Sequence, residues 1–172
     1  MGVAVAGQPY CEGSFGGEAT GPNPTDRAKL GTKRHLLTDQ RGAPLSVVIT
    51  EANMHDMKAT ARTLSSIVTR RPKPTPRRPQ NLCLDKGYDY PEIERAAIKR
   101  GYIPHIRHRG ETVPPRGDGR CHQAKRWVVE RTGSWHNRFR KLLIRWEKKM
   151  RNYLALTQLA CCLIIYRLTV LG

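Results

Sequence analysis

NLCLDKGYDYPEIERAAIKR, residues 81–100, is the stretch from which the fold can be read. Asn81 to Asp85 is a short apolar run closing on a carboxylate, Lys86-Gly87 is a turn, and Pro91 sits where a helix over 91–100 would begin, a position that favours proline. Strand, acid, turn, helix is the order in which α/β sheets present ligand groups at the carboxyl ends of their strands. Upstream, KRHLLTD (33–39) and PLSVVIT (44–50) are β-rich runs separated by Gln40-Arg41-Gly42-Ala43, the pattern of an antiparallel hairpin. Met57, Ala61, Leu64 and Ile67 recur at helical spacing within 56–68. RRPKPTPRRPQ (70–80), with four prolines and five basic side chains, cannot continue that helix and reads as an extended, solvated connector.

Downstream, YIPHI (102–106) is a further strand and HRGETVPPRGDGRCH (108–122) a polar loop. One long helix is expected over 124–149. Trp127, Glu130 and Ser134 share one stripe of it, and Trp135, Phe139, Leu142 and Trp146 form an apolar stripe. YLALTQLACCLIIYRLTVL (153–171) has the length of a membrane span, but Gln158 and Arg167 interrupt it, so a buried helix is expected and no membrane partner. Residues 1–25, rich in Gly, Pro, Thr and Ser, read as loop or ragged terminus. The sum is one mixed α/β domain.

The chain has 172 residues, with 31 Lys plus Arg against 14 Asp plus Glu, a net charge of +17. Such a surplus attracts polyanions, and nucleic acid is the first partner to expect. At 38% hydrophobic residues the chain holds enough apolar material for a core, which excludes wholesale disorder. Five cysteines, an odd number with no C-x-x-C pair, and a start without a signal-peptide pattern point to a reducing cytoplasm.

Asp85 and Glu130 are the candidate chemical groups. Asp85 is either a ligand group at a strand end or a cap for the turn that follows. Glu130 is either its partner or half of an ion pair with Arg126 or Arg131. Paired acids in so basic a chain suit Mg²⁺, which takes hard oxygen ligands. The histidines and Cys121 supply no four-ligand zinc spacing. Trp127, Trp135 and Trp146 fit core packing better than base stacking, because their spacing matches a buried stripe.

GPNPTDRAKLGTKRHLLTD (21–39), EANMHDMK (51–58), LCLDKGYD (82–89), HIRHRGE (105–111), RWVVERT (126–132) and NRFRKLLIRWEKK (137–149) together resemble the compact DDE transposases of bacterial insertion sequences, of the IS4-like and IS5-like kind. The resemblance implies an RNase H-like mixed sheet flanked by helices over 21–170, acting on DNA at the ends of a mobile element by cleavage and strand transfer. It also implies two Mg²⁺ ions held by two Asp and one Glu, action in the bacterial cytoplasm at the nucleoid, and a possible homodimer on DNA.

By that resemblance Asp85 is the second acid and Glu130 the third. Arg126 occupies the Arg place of the family's helical signature, while Gln123 replaces its Tyr and Asn137 its Lys; Arg138 and Lys141 lie close enough to cover the lost phosphate contact. The first acid belongs near Gly7, where no Asp stands; the acids before Gly21 are Glu12 and Glu18. The expectation is therefore a truncated or frame-shifted transposase, with residues 1–20 outside the family, the first strand and the N-terminal DNA-binding region incomplete or missing, and little activity. The alternative is a noncatalytic DNA-binding remnant or repressor. Lys33, Arg34, Arg126, Arg138, Lys141 and Arg145 are the residues expected on DNA phosphates.

Overall fold

The computed structural model describes residues 2–13, 15–106, 108 and 126–171. In chain order these form β1 (Gly2–Glu12), β2 (Gly21–Pro22), β3 (Leu30–Asp39), β4 (Pro44–Glu51), α1 (Asp56–Ser65), β5 (Asn81–Leu84), α2 (Pro91–Lys99), β6 (Ile103–Ile106), α3 (Arg126–Asn137), α4 (Arg140–Leu143) and α5 (Met150–Tyr166). A 3-10 turn at Lys86–Tyr88 follows β5, and α5 runs on into a wider π turn over Arg167–Leu171.

One mixed sheet carries every strand among the described residues. β1 pairs antiparallel with β3 on one side and parallel with β5 on the other, and β6 adds parallel to β5. The far edge of β3 takes β2 at its start and β4 along the rest, both antiparallel. The expected hairpin is thus β3 and β4, and its turn closes through Asp39, whose Oδ1 accepts from the backbone of Arg41 and Ala43 at 2.9 Å each.

The first strand is where the sequence reading fails. Residues 2–12, expected as ragged loop with the first strand missing, form the strand that joins the antiparallel half of the sheet to the parallel half. Val3 and Val5 alternate with small residues, a pattern that suits a pleated strand. Pro9 falls at the register shift between Gln8 and Tyr10, one of the places where a sheet tolerates proline.

Alternation along β3 sorts its side chains onto two faces. Leu37 packs with Leu64 of α1, Leu82 and Leu84 of β5, and Ile93 and Ala97 of α2. Leu36 turns the other way, onto Cys83 of β5 and Val129 of α3, and beside it Cys11, Ile49, Leu142, Tyr153 and Ala160 tie the sheet to α4 and α5. Each of these buried leucine, isoleucine and valine side chains stabilises the fold by about 1.5–3 kcal/mol.

The long helix expected over 124–149 is broken. α3 ends at Asn137, α4 is a single turn, and Ile144 is extended, with its neighbour Arg145 donating its backbone N–H to the carbonyl of Glu12 at 2.8 Å. α5 is buried along Tyr153, Thr157, Ala160, Cys161 and Ile164, whereas Leu159, Leu163 and Tyr166 are exposed. Burial of α5 is therefore one-sided. Met150–Leu171 is long and apolar enough to cross a membrane, but its buried stripe packs against β4 as part of the domain. The connector over 70–80 is docked as well as solvated: Arg71 lies 3.6 Å from the Tyr102 ring centroid, donates to the Arg100 carbonyl, and bonds Gln80.

Candidate active site and nucleic acid surface

Asp85 leaves β5 in extended backbone and stays exposed. Its Oδ1 accepts from the Lys86 N–H at 2.6 Å, so it caps the 3-10 turn, and its carbonyl accepts from Tyr88. Tyr88 is buried in the core and fixes that turn. Just beyond, His108 Nδ1 stands 2.7 Å from Asp89 Oδ1.

Glu130 lies on α3, exposed, beside the buried Val128 and Val129. Val129 and Cys83 share a packed cluster with Leu36. The residue before Glu130 and the residue two before Asp85 therefore meet on one face of the sheet, which brings the end of β5 and the first half of α3 together.

Near Gly7, where the family resemblance puts its first acid, the chain has glycine opposite His35 across the β1–β3 ladder. The acids closest in sequence have other duties. Glu12 takes Lys29 Nζ at 2.9 Å. Glu18 Oε2 accepts from the Met150 N–H at 2.9 Å and so caps α5. Among the described residues no three His, Cys, Asp or Glu side chains gather as a metal site would require. Asp85 and Glu130 are hard oxygen donors of the kind Mg²⁺ takes, but among the described residues they stand as a pair, which does not fit the three acids and two ions that the resemblance implies.

Three of the six cations expected on DNA point inward. Lys33 Nζ is held by Asp56 Oδ1 at 2.9 Å and the Met54 carbonyl at 3.0 Å. Arg34 is 0% exposed and donates to Asn137 Oδ1 and the Leu142 carbonyl. Arg145 is 1% exposed and donates to Thr32 Oγ1 and the carbonyl of Glu147. Burying a cation is costly unless its N–H groups find partners, and these pack between elements. Their runs of basic neighbours looked like surface charge, while the cover on both faces of β3 and the break before Arg145 put them in the core. Arg138 and Lys141 are exposed, and Arg126 opens α3.

Two of the three tryptophans reverse the expected burial, while Trp135 is half-buried. Trp127 is 55% exposed and Trp146 61% exposed, the latter stacked on Phe15 at 4.6 Å between centroids. The Arg131 guanidinium lies 4.8 Å from both the Trp127 and Trp135 rings. Arg131 also donates to the Arg41 carbonyl at 2.7 Å, and Thr132 Oγ1 donates to the Gly42 carbonyl at 2.8 Å. The i, i+4, i+8 spacing of 127, 131 and 135 was the sequence signal for this ladder.

The class is settled by comparison with known proteins. Residues 9–165 match the transposase DDE domain family, a span that reaches back past Gly21 into β1. The chain belongs to that family, as a DDE transposase of the insertion-sequence type. Over 155 residues it is 40% identical to a putative transposase for insertion sequence element IS402 of Burkholderia cepacia, an alignment covering 88% of this chain and 71% of that protein.

Proposed function

We propose that the chain is the RNase H-like catalytic domain of an insertion-sequence transposase that grips the DNA of element ends, with strand cleavage and transfer largely lost. Support for the RNase H-like reading comes from the sheet, three antiparallel strands joined through β1 to two parallel ones, with Asp85 after β5 and Glu130 on the helix packed behind it. DDE transposases use divalent metal ions. Asp85 and Glu130 are the positions that match the family's metal-binding acids, and the Gly7 region supplies no third. The carrying observation for impaired chemistry is that pair of acids without a nearby third among the described residues.

The basic surface then does the remaining work. Arg138 and Lys141 contact phosphate, each neutralised charge adding to salt-sensitive affinity. A DNA-binding domain that cuts poorly acts as a repressor of active transposase by occupying element ends, in the bacterial cytoplasm at the nucleoid.

The test is a strand-joining assay on the purified chain, with labelled duplex carrying element ends, a target duplex and Mg²⁺. Retained duplex without joined product is the expected result. A joined product that disappears in Asp85→Ala would overturn the loss of chemistry, and failure to retain any DNA would overturn the binding role. Light scattering of the complex reads whether two copies sit on one DNA.

A further inference from the structure

From Met57 to Leu84, and again from Arg95 to Ile106, the sequence contains no Asp or Glu. The fold brings the ends of these two stretches together. Arg71 reaches from the connector to the Arg100 carbonyl and lies over the Tyr102 ring, and Gln80 Nε2 donates to the Pro72 carbonyl at 2.8 Å. Pro74 packs so closely on Gly101 that a Cβ there would stand 2.9 Å from its Cγ. Thr75 and Arg78 close a tight turn by exchanging backbone hydrogen bonds at 3.3 and 3.0 Å, with Pro76 and Arg77 at its tip. Proline fixes φ, so the turn is held both by its own chemistry and by what it docks on. Lys73, Arg77 and Arg78 are exposed on it, and among the described residues no carboxylate pairs with them.

The turn lies at the opposite end of the sheet from Asp85. Gln80 precedes β5 and its carbonyl accepts from Ile103 at the start of β6, whereas Asp85 follows the last residue of β5. At about 3.3 Å per residue of extended chain, the two ends stand about 16 Å apart. Between them, on the surface, runs α2, which begins just after the Asp85 turn and returns to Arg100 at the connector. Its first turn exposes Glu92 and Glu94. Arg95 stands 3.9 Å from Glu92, while Glu94 has no ion-pair partner among the described residues. A phosphate backbone running from the connector along α2 toward Asp85 would meet that negative charge. The connector therefore serves DNA other than the segment beside the two acids.

We propose that Lys73, Arg77 and Arg78 form a second duplex-binding site, remote from Asp85 and Glu130, that holds the phosphate backbone of a separate DNA segment. Phosphate contacts need charge rather than base edges, so the site takes duplex of any sequence. Because prolines and docking have already ordered the turn, little of its conformational freedom is left to lose on binding. This rests on the DNA-binding reading above and adds a second DNA to it, so that one chain tethers two stretches of duplex.

The experiment counts duplexes bound per chain, which is independent of oligomeric state. A labelled duplex of mixed sequence, about 10 base pairs or one helical turn long, is titrated into the protein well above its dissociation constant. The wild type should saturate at two duplexes per chain. Lys73→Ala, Arg77→Ala and Arg78→Ala combined should saturate at one, and the duplex it retains shows that the fold has survived. The charge-keeping combination Lys73→Arg, Arg77→Lys and Arg78→Lys should restore two. In the wild type the lost equivalent should bind with a slope of log affinity against log salt of about −2.7, three phosphates at about 0.9 each. Saturation of the wild type at one duplex, two duplexes or none on the alanine combination, or no rescue by the charge-keeping one would each overturn the second site and leave the first standing. A wild-type chain that binds no duplex overturns both.

Discussion

Arg34 Nη2 donates to Asn137 Oδ1 at 2.7 Å, joining the middle of β3 to the last residue of α3. Asn137 stands where the sequence resemblance leads one to expect a lysine. Arg34 is wholly buried, and its other guanidinium nitrogen takes the Leu142 carbonyl at 3.1 Å. The side chain at 137 therefore works as an acceptor for an interior cation.

Asn137→Lys replaces that acceptor with an ammonium beside a buried guanidinium. Stability should fall by about 1–3 kcal/mol, the cost of an orphaned buried donor, with like-charge repulsion added. Asn137→Asp, which keeps an acceptor and adds a counter-charge, should fold at least as well as the wild type. Urea midpoints of the two variants decide; a lysine variant as stable as the wild type would mean the Arg34 contact contributes nothing.

Surface and interior cations should respond differently to removal. Arg138→Ala and Lys141→Ala should each flatten the slope of log affinity against log salt by roughly 0.9, with unfolding unchanged. Arg145→Ala, by contrast, removes the guanidinium donor from Thr32 Oγ1 and from the Glu147 carbonyl and should cost about 2–4 kcal/mol of stability. Salt titrations of DNA binding paired with thermal melts separate the two classes.

Acid should destabilise the fold earlier than carboxylate titration alone. Burial pushes His35 down to about 4; the Asp56 carboxylate opposes that in part and Lys33 adds to it. Burial likewise lowers His136 to about 4, helped by the Arg34 charge. A depressed folded-state value means that the unfolded chain takes up the proton first, so stability is full above about pH 6.5 and is lost as pH falls from there toward 4. With two such groups the slope approaches about 2.7 kcal/mol per pH unit. Denaturant midpoints across that window measure it, and His136→Gln should remove roughly half of the slope, a change absent if His136 already titrates normally.

Gly42 holds the β3–β4 turn against α3 with a φ of +87°, in the left-handed region. A Cβ there would meet Arg131 Nη2 and Thr132 Oγ1 at 3.0 Å. Gly42→Ala should therefore cost about 1–3 kcal/mol from backbone strain and displace the Arg131 ladder. Near-ultraviolet circular dichroism, sensitive to the packing of Trp127 and Trp135, should change with it; an unaltered spectrum at wild-type stability would refute the fit.

The parallel half of the fold was legible because its signals are local. Asn81–Leu84, Pro91–Lys99 and Ile103–Ile106 each carry their own apolar pattern and breaker, and the β3–β4 hairpin has its turn written between its strands. β1 was missed because GVAVAG holds only small and apolar residues, with no polar alternation to mark a strand, and because Pro9 at a register shift looks in sequence like a loop residue. The fates of Arg34 and Arg145 were hidden for a related reason: whether a cation faces water depends on which element covers it, and α4 arrives from more than 100 positions away. Asp85 and Glu130 were singled out in sequence by the motifs around them and the resemblance those motifs carry, whereas the sheet face on which their elements meet came only with the packing of Cys83 on Val129.

The pairing of Gly2–Ala4 with Asn81–Cys83 bears on how the polypeptide is made. A ribosome releases the amino-terminal segment first, and β3 can cover one of its borders soon afterwards. The opposite border stays bare until β5 emerges, and closing a loop of that span carries an entropic penalty of about 4 kcal/mol. During synthesis the nascent molecule thus displays an unsatisfied β ribbon, the kind of surface that recruits holdase chaperones or another copy of itself, so yield on overexpression should depend on translation speed and temperature.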